Sequence, residues 1–193
     1  MATMIEQLHP DDAIALFQHV RRHMRENGSN GLVFAPHDPG VYERPQVLQE
    51  QVRQWQTALA RGLNQPEWLR VWVAHDPELP QQQRAGQPDG GIIGHVELRG
   101  GRMGSELHRC RVSMGVYGAH RGRGLGRVLL GAAVLWAQRQ SELVWMDLSV
   151  FSHNAGALHL YELAGFQEIG RTVDAFRAQG GSLDDIHMNL RLK

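Results

Sequence analysis

The sequence predicts an α+β fold, with a central sheet of about seven strands flanked by helices. Three observations predict it. Seven stretches show strand-like alternation or a short apolar run, four show helical spacing, and no internal repeat organises them. Near the middle, a turn rich in Gly and Arg joins a strand to an amphipathic helix. The length of 193 residues suits one substantial core, so residues 1–193 are expected to form a single domain.

Residues 4–8 alternate as a short strand, His9-Pro10 marks a turn, and Asp11 or Asp12 can cap a helix over 11–26. Ile14, Phe17, Val20 and Met24 are its expected apolar stripe, and Asn27-Gly28 its stop. Residues 28–45, rich in Gly, Pro, His and Asp, are long enough to be a binding loop. A polar helix follows over 45–64. Residues 68–75 form a strand with Leu69, Val71 and Val73 on one face. Residues 76–91 are expected as an exposed loop. A strand over 92–98 ends at the turn Arg99 to Arg102, and a longer strand spans 107–117, with Val112, Met114 and Val116 on one face. The helix over 124–140 carries the stripe Leu125, Val128, Leu129, Ala132 and Trp136. Residues 143–151 are a central apolar strand, 154–164 a short helix stopped by Gly165, and 166–173 and 186–192 two closing strands.

Twenty Lys plus Arg balance twenty Asp plus Glu, so the basic field that dominates nucleic-acid affinity is missing. The single Cys110 cannot form an intramolecular disulfide, and residues 1–10 lack a signal-peptide pattern. A reducing, cytoplasmic setting is expected. No segment approaches the roughly 18 apolar residues of a membrane helix.

The segment Gly118-Ala119-His120-Arg121-Gly122-Arg123-Gly124-Leu125-Gly126-Arg127 carries the chemistry. A strand, a glycine turn and a helix start direct free backbone N–H groups and the positive helix end at one point, a site for phosphate. Gly122, Gly124 and Gly126 allow close approach, and Arg121, Arg123 and Arg127 supply counter-charge. The bland reading is a turn that only caps a helix. A mononucleotide loop would need a Lys followed by Ser or Thr, which is absent, and the glycines do not follow the dinucleotide spacing. RNA recognition would call for interleaved aromatics, and only Tyr117 is near.

The pattern Arg121-x-x-Gly124-x-Gly126 resembles the pyrophosphate loop of the GNAT superfamily of N-acetyltransferases. Downstream, Asn154, Ala157, Leu160-Tyr161-Glu162 and Gly165-Phe166 resemble that family's second cofactor segment. The resemblance covers about residues 92–192 in pattern and order. It implies a mixed, mostly antiparallel sheet, split near Gly115 to admit coenzyme A, with acetyl-CoA as co-substrate and no metal. It implies that an amine acceptor, a small molecule or a protein N-terminus, attacks the thioester directly, and that a homodimer is possible. Met114, Gly115 and Val116 would offer backbone contacts to the pantetheine arm, and Asn154 a hydrogen bond to it. Tyr161 would protonate the departing thiolate. Asn154, Ala157, Leu158 and Tyr161 share one helix face by spacing. The plainer alternatives are an N-cap for Asn154, a core aromatic for Tyr161, and a glycine beneath a bulky neighbour for Gly115.

An alkylamine is almost wholly protonated near neutral pH, so a base must act first. Glu97 is the leading candidate because family bases often lie on a strand beside the cofactor strand; its alternative is a solvated carboxylate. Glu106, His95 and His108 follow. Asp184, Asp185, His37 and Asp38 are candidates for holding the acceptor's charge. His19 and His23 stand four apart but lack a third ligand, so they are expected to be surface histidines. Cys110 shows no Cys-His signature for an acyl-carrying nucleophile. The rival reading is a non-catalytic coenzyme A sensor on the same fold.

Overall fold

The computed structural model describes residues 4–29, 32–36, 39–178 and 180–193. Its elements are β1 (Ile5–Gln7), α1 (Ala13–Met24), α2 (Pro45–Ala60), β2 (Leu69–His75), a single-turn α3 (Gln81–Arg84), β3 (Ile92–Gly100), β4 (Arg109–Val116), α4 (Leu125–Gln138), β5 (Trp145–Phe151), α5 (Ala155–Leu163), β6 (Gln167–Ala178) and β7 (Gly181–Arg191). The seven strands form one sheet in the order β1-β2-β3-β4-β5-β7-β6. Every pairing is antiparallel except β4 with β5, which is parallel. This is the expected α+β architecture with a mixed, mostly antiparallel sheet.

Helices cover the two faces unequally. On one face, α1 and α2 bury Leu16, Phe17, Trp55 and Leu59 against Leu69, Val71 and Val73 of β2. On the other, α4 and α5 bury Leu129, Ala133 and Tyr161 against Val96, Val112, Leu148 and Val150, the larger cluster. The alternation of each strand sorts side chains between these two cores.

Several sequence expectations shift. In α1, Ile14 is 54% exposed, and the sheet side is made by Ala13, Leu16, Phe17, His19, His23 and Met24. Two histidines occupy positions where hydrophobic periodicity looks for apolar residues, so the stripe inferred from Ile14 and Val20 is rotated. In α4 the buried residues are Leu125, Leu129, Leu130, Ala133 and Ala137, while Val128 is exposed. Trp136 is partly buried, packing on Trp68 and Trp72. Residues 76–91 are more ordered than an open loop. They contain α3, a buried Asp89, and Arg84 donating to the carbonyls of Leu79 and Asp76.

Candidate active site

The parallel pairing of β4 and β5 covers only three rungs, Arg109↔Trp145, Cys110↔Met146 and Arg111↔Asp147. Beyond Arg111 the strands part, although β4 stays paired to β3 as far as Val116 and β5 to β7 as far as Phe151. The sheet is therefore split from Val112 onward. At the closed end Arg109 grips Asp147 with two hydrogen bonds, one of 2.8 Å, and lies over the Trp145 ring.

The strand pleat decides which backbone groups face the split. The Tyr117 N–H donates to the Ile93 carbonyl, so residues 115 and 113 likewise turn their backbone groups toward β3, and Val112, Met114 and Val116 turn theirs into the split. Met114 and Val116 therefore turn their backbone groups toward the split, and Gly115 turns its own toward β3. A Cβ there would lie 2.7 Å from the His23 ring and 2.9 Å from the His95 ring, so this glycine makes room for two imidazoles, and no register shift marks it as a bulge. The Val116 carbonyl accepts from Arg121 Nε at 2.8 Å.

After β4 the turn at residues 118–120 leads into the loop. Gly122 and Gly124 hold φ of +72° and +81°, and a Cβ on either would meet nothing within 4 Å. Conformation, not crowding inside the protein, calls for glycine at both places. Gly124 is the N-cap of α4. The backbone N–H groups of residues 122–127 find no acceptor among the described residues, whereas the Arg121 N–H bonds Gly118 and the Val128 N–H bonds Gly124. Six consecutive free donors at a helix start suit a pyrophosphate. Gly126 acts otherwise, because a Cβ there would meet Leu160 at 3.2 Å and Met114 at 3.4 Å; it seats α4 against α5 and β4. Arg121 is drawn toward α1, pairing with Glu26 at 3.0 Å. Glu26 also accepts from the Gly118 N–H at 3.0 Å. Arg123 stays exposed, and Arg127 lines a cavity of about 210 Å³ between α4 and α5 with Leu130, Leu160 and Leu163.

Asn154 caps α5, its Oδ1 accepting from the Ala157 N–H at 3.2 Å, which leaves the amide Nδ2 available for a ligand. Tyr161 sits seven positions on, 7% exposed, its ring edge-on to Phe166. Burial pushes its phenol up to about 12. Among the described residues, the fully buried side-chain polar atoms without a partner are His23 Nδ1 and Trp68 Nε1. The Tyr161 hydroxyl has no protein partner either, so it keeps contact with solvent.

Glu97 lies on the opposite face, level with Val71 of β2 and Ser113 of β4. It accepts from the Ser113 hydroxyl at 2.9 Å. Burial, and secondarily the Glu97 carboxylate, raise the Tyr42 phenol. His95 is buried two residues away. His19 Nδ1 faces the Ile92 carbonyl at 3.2 Å, and a carbonyl only accepts, so Nδ1 carries the proton. Burial lowers both His19 and His95 and keeps the rings neutral. His19 Nε2 therefore accepts from His95 Nδ1 at 2.8 Å, and His95 Nε2 is left with a lone pair. Contrary to the surface placement expected from spacing, His19 is fully buried and His23 is 6% exposed, stacked on Phe34 with ring centroids 4.5 Å apart. Burial, then the nearby His95 and Arg121, drives His23 down to about 3.

The other candidates have local roles. Glu106 accepts from the Arg102 and Met103 N–H groups, Asp184 from the Asp174 N–H, and Asp185 lies 3.8 Å from His187. His108 offers its carbonyl to the Val144 and Trp145 N–H groups. His37 and Asp38 lie outside the described residues. Cys110 is 2% exposed, and burial raises its thiol to about 12, the opposite of an activated nucleophile. No group of three or more His, Cys, Asp or Glu able to hold a metal occurs among the described residues. No helix among them is long and apolar enough to cross a membrane.

A sheet split beside a helix-capping glycine loop defines an acetyl-CoA-dependent N-acetyltransferase of the GNAT class. Residues 67–168 match the acetyltransferase (GNAT) domain family, and the chain belongs to it. The uncharacterized N-acetyltransferase YycN of Bacillus subtilis is 25% identical over 183 residues, covering 87% of this chain and 94% of its own. A GNAT-family acetyltransferase from Streptococcus pneumoniae superposes with a TM-score of 0.78 at 21% identity, over 100% of both chains. The yncA protein of Salmonella typhimurium, solved with its cofactor acetyl-CoA, gives 0.74 at 20% identity, over 100% of this chain and 95% of that one. Acetyl-CoA is the co-substrate of the family, and the free donors at 122–127 together with the split fit it.

Proposed function

We propose that the protein transfers the acetyl group of acetyl-CoA to a primary amine of a small molecule or a protein N-terminus by direct attack. The observation that carries this reading is the parting of β4 from β5 beyond Arg111, with Glu97 on β3 one strand away on one face of the sheet and the Tyr161 ring packed on the other. The bound co-substrate supplies the thioester carbonyl that the amine attacks. Residues 122–127 hold the pyrophosphate through backbone donors, and Met114, Val116 and Asn154 hold the pantetheine amides. Glu97, steadied by Ser113, removes the ammonium proton so that the nitrogen lone pair can form the C–N bond. As the C–S bond breaks, the electron pair goes to sulfur, the Tyr161 hydroxyl donates a hydrogen bond to it, and the second proton, shed by the nitrogen as the amide forms, passes through solvent to the thiolate. A phenol near 12 stays protonated at neutral pH, so it serves as a donor and gives up its proton reluctantly.

His95 is the second candidate for the base, favoured by its fixed tautomer. The test is a panel of amines with acetyl-CoA, read as free-thiol release, in the parent and in Glu97→Gln and His95→Gln variants. We expect Glu97→Gln to lower kcat/KM by about a hundredfold, within the usual range for general-base removal, with acetyl-CoA affinity held. An unchanged rate for Glu97→Gln would transfer the role to His95 or to water. Thiol release with no amine in the panel would sink the enzymatic reading.

A further inference from the structure

The pleat places Glu97 and Arg99 of β3, Arg111 and Ser113 of β4, and Asp147 and Ser149 of β5 on one face of the sheet. On this face α2 packs on β2, and α1 reaches β3 and β4 at His95 and Gly115, so residues 97–99 and 111–113 lie beyond them. Arg99 and Arg111 are directly opposed across the antiparallel pair. Like charges in that relation repel, and an anion between or beside them would relieve the repulsion. The protein supplies almost none. Asp147, the register partner of Arg111 on β5, has both carboxylate oxygens committed to Arg109. Glu97 reaches Arg99 only at 4.0 Å and is already hydrogen-bonded to Ser113. Arg111 is exposed and has no ion pair or hydrogen bond among the described residues. Two arginines thus stand opposite one another where the split begins, one rung pair, about 7 Å along the strands, from Glu97 and Ser113.

We propose that the acetyl acceptor carries a carboxylate close to its amine, and that Arg111, with Arg99, holds that carboxylate while the amine meets Glu97 and Ser113. The inference rests on the acetyl-transfer reading above and names its substrate class, amino-acid-like compounds. Guanidinium forks pair with a two-oxygen anion through parallel N–H donors, which fixes direction as well as affinity. With the carboxylate held where the split begins, the amine points toward the opening, where Met114 and Val116 present their backbone groups.

The test compares acetyl transfer to matched acceptors: an α-amino acid, its carboxamide, its decarboxylated amine, and an aminoalkylphosphonate of similar length. Methionine and phenylalanine sets serve as probes. The carboxamide has the less basic amine and is intrinsically the easier acceptor, so a preference for the acid must come from binding. We expect kcat/KM to favour the acid over its carboxamide by about tenfold to a hundredfold in the parent. Arg111→Gln should collapse that ratio mainly through KM for the acid, and Arg111→Lys should restore part of it. Acetyl-CoA affinity and the circular dichroism spectrum report that each variant is folded. Transfer to carboxamides or plain amines at rates equal to the acids, or an unchanged ratio in Arg111→Gln, overturns the inference while acetyl transfer stands. A preference for the phosphonate overturns the carboxylate assignment. Acetyl-CoA binding with transfer to none of these or other amines overturns the functional reading and this inference with it.

Discussion

A valine at position 124 would have to hold the backbone at φ +81°, a conformation costing an L-residue with a Cβ roughly 1–2 kcal/mol. Because nothing lies within 4 Å of that Cβ, the folded protein has no clash to relieve, and the penalty falls on the loop conformation that presents the six free donors. The expected outcome for Gly124→Val is a folded protein whose acetyl-CoA affinity, measured by calorimetry, drops about tenfold or more. Equal affinity would mean that residues 122–127 are not the pyrophosphate site. Tyr161 needs a different readout. With its phenol raised to about 12, full proton donation to a thiolate is uphill, so the side chain contributes chiefly a hydrogen bond to developing charge. Tyr161→Phe should lower kcat by about tenfold to a thousandfold, the lower end being favoured, and leave acetyl-CoA binding unchanged, since the ring keeps its packing on Phe166. An unchanged kcat where chemistry limits turnover would reduce Tyr161 to a core aromatic. At this scale the sequence was informative where a residue type is restricted by its backbone, as for Gly122 and Gly124, and misleading where packing decides. Gly115 was read for its backbone, yet it is the two imidazoles beside it that exclude a side chain.

The split depends on how its closed end is held. Arg109 and Asp147 join β4 to β5 across the three rungs that remain paired, with Arg109 and Arg191 each lying over the Trp145 ring. The pair is partly exposed, so solvent screening limits its value, but its two-bond geometry keeps it above an ordinary surface contact. Arg109→Met should cost roughly 1 kcal/mol, a fall of about 2–4 °C in Tm for a chain of this size by differential scanning calorimetry. No fall would show that the β4–β5 rungs hold without it. Elements such as β2, β3 and β5 were legible because burial imposes alternation or an apolar run on them. The closing hairpin was not. The strand β6 extends to Ala178 and β7 begins at Gly181, and residues 174–178 and 181–185 are mostly polar or small with none of them buried, so hydrophobic pattern carries little trace of their pairing. Residues 76–91 hid their order for a related reason: Arg84 and Asp89 organise them through hydrogen bonds that no periodicity records.

Across the whole molecule, α1 is fastened to the sheet and to the loop that follows β4 by polar groups. His19 bonds His95 and the Ile92 carbonyl, and the Tyr117 hydroxyl donates to the His19 carbonyl at 3.1 Å. Arg22 pairs with Asp89 at 2.8 Å, and Glu26 joins the Gly118 N–H and Arg121. His23 is packed between Phe34 and Gly115, with Nδ1 3.7 Å from Glu26. All three imidazoles are held neutral, chiefly by burial; His23 falls to about 3, and His19 and His95 are lowered as well. Their folded values lie below the ordinary 6.5, so the unfolded chain takes up protons first as the solution is acidified. The stability they confer is complete above about pH 6.5 and is lost as pH falls through each folded value, for His23 as far as about 3, each neutral imidazole contributing about 1.4 kcal/mol per pH unit over its range. Calorimetric melting at pH 7, 6, 5 and 4 should therefore show Tm falling steadily, and His23→Gln, which removes one titrating ring, should flatten the slope by about one proton's worth. The same fall in a variant lacking both His19 and His23 would leave those two histidines without a part in the acid sensitivity.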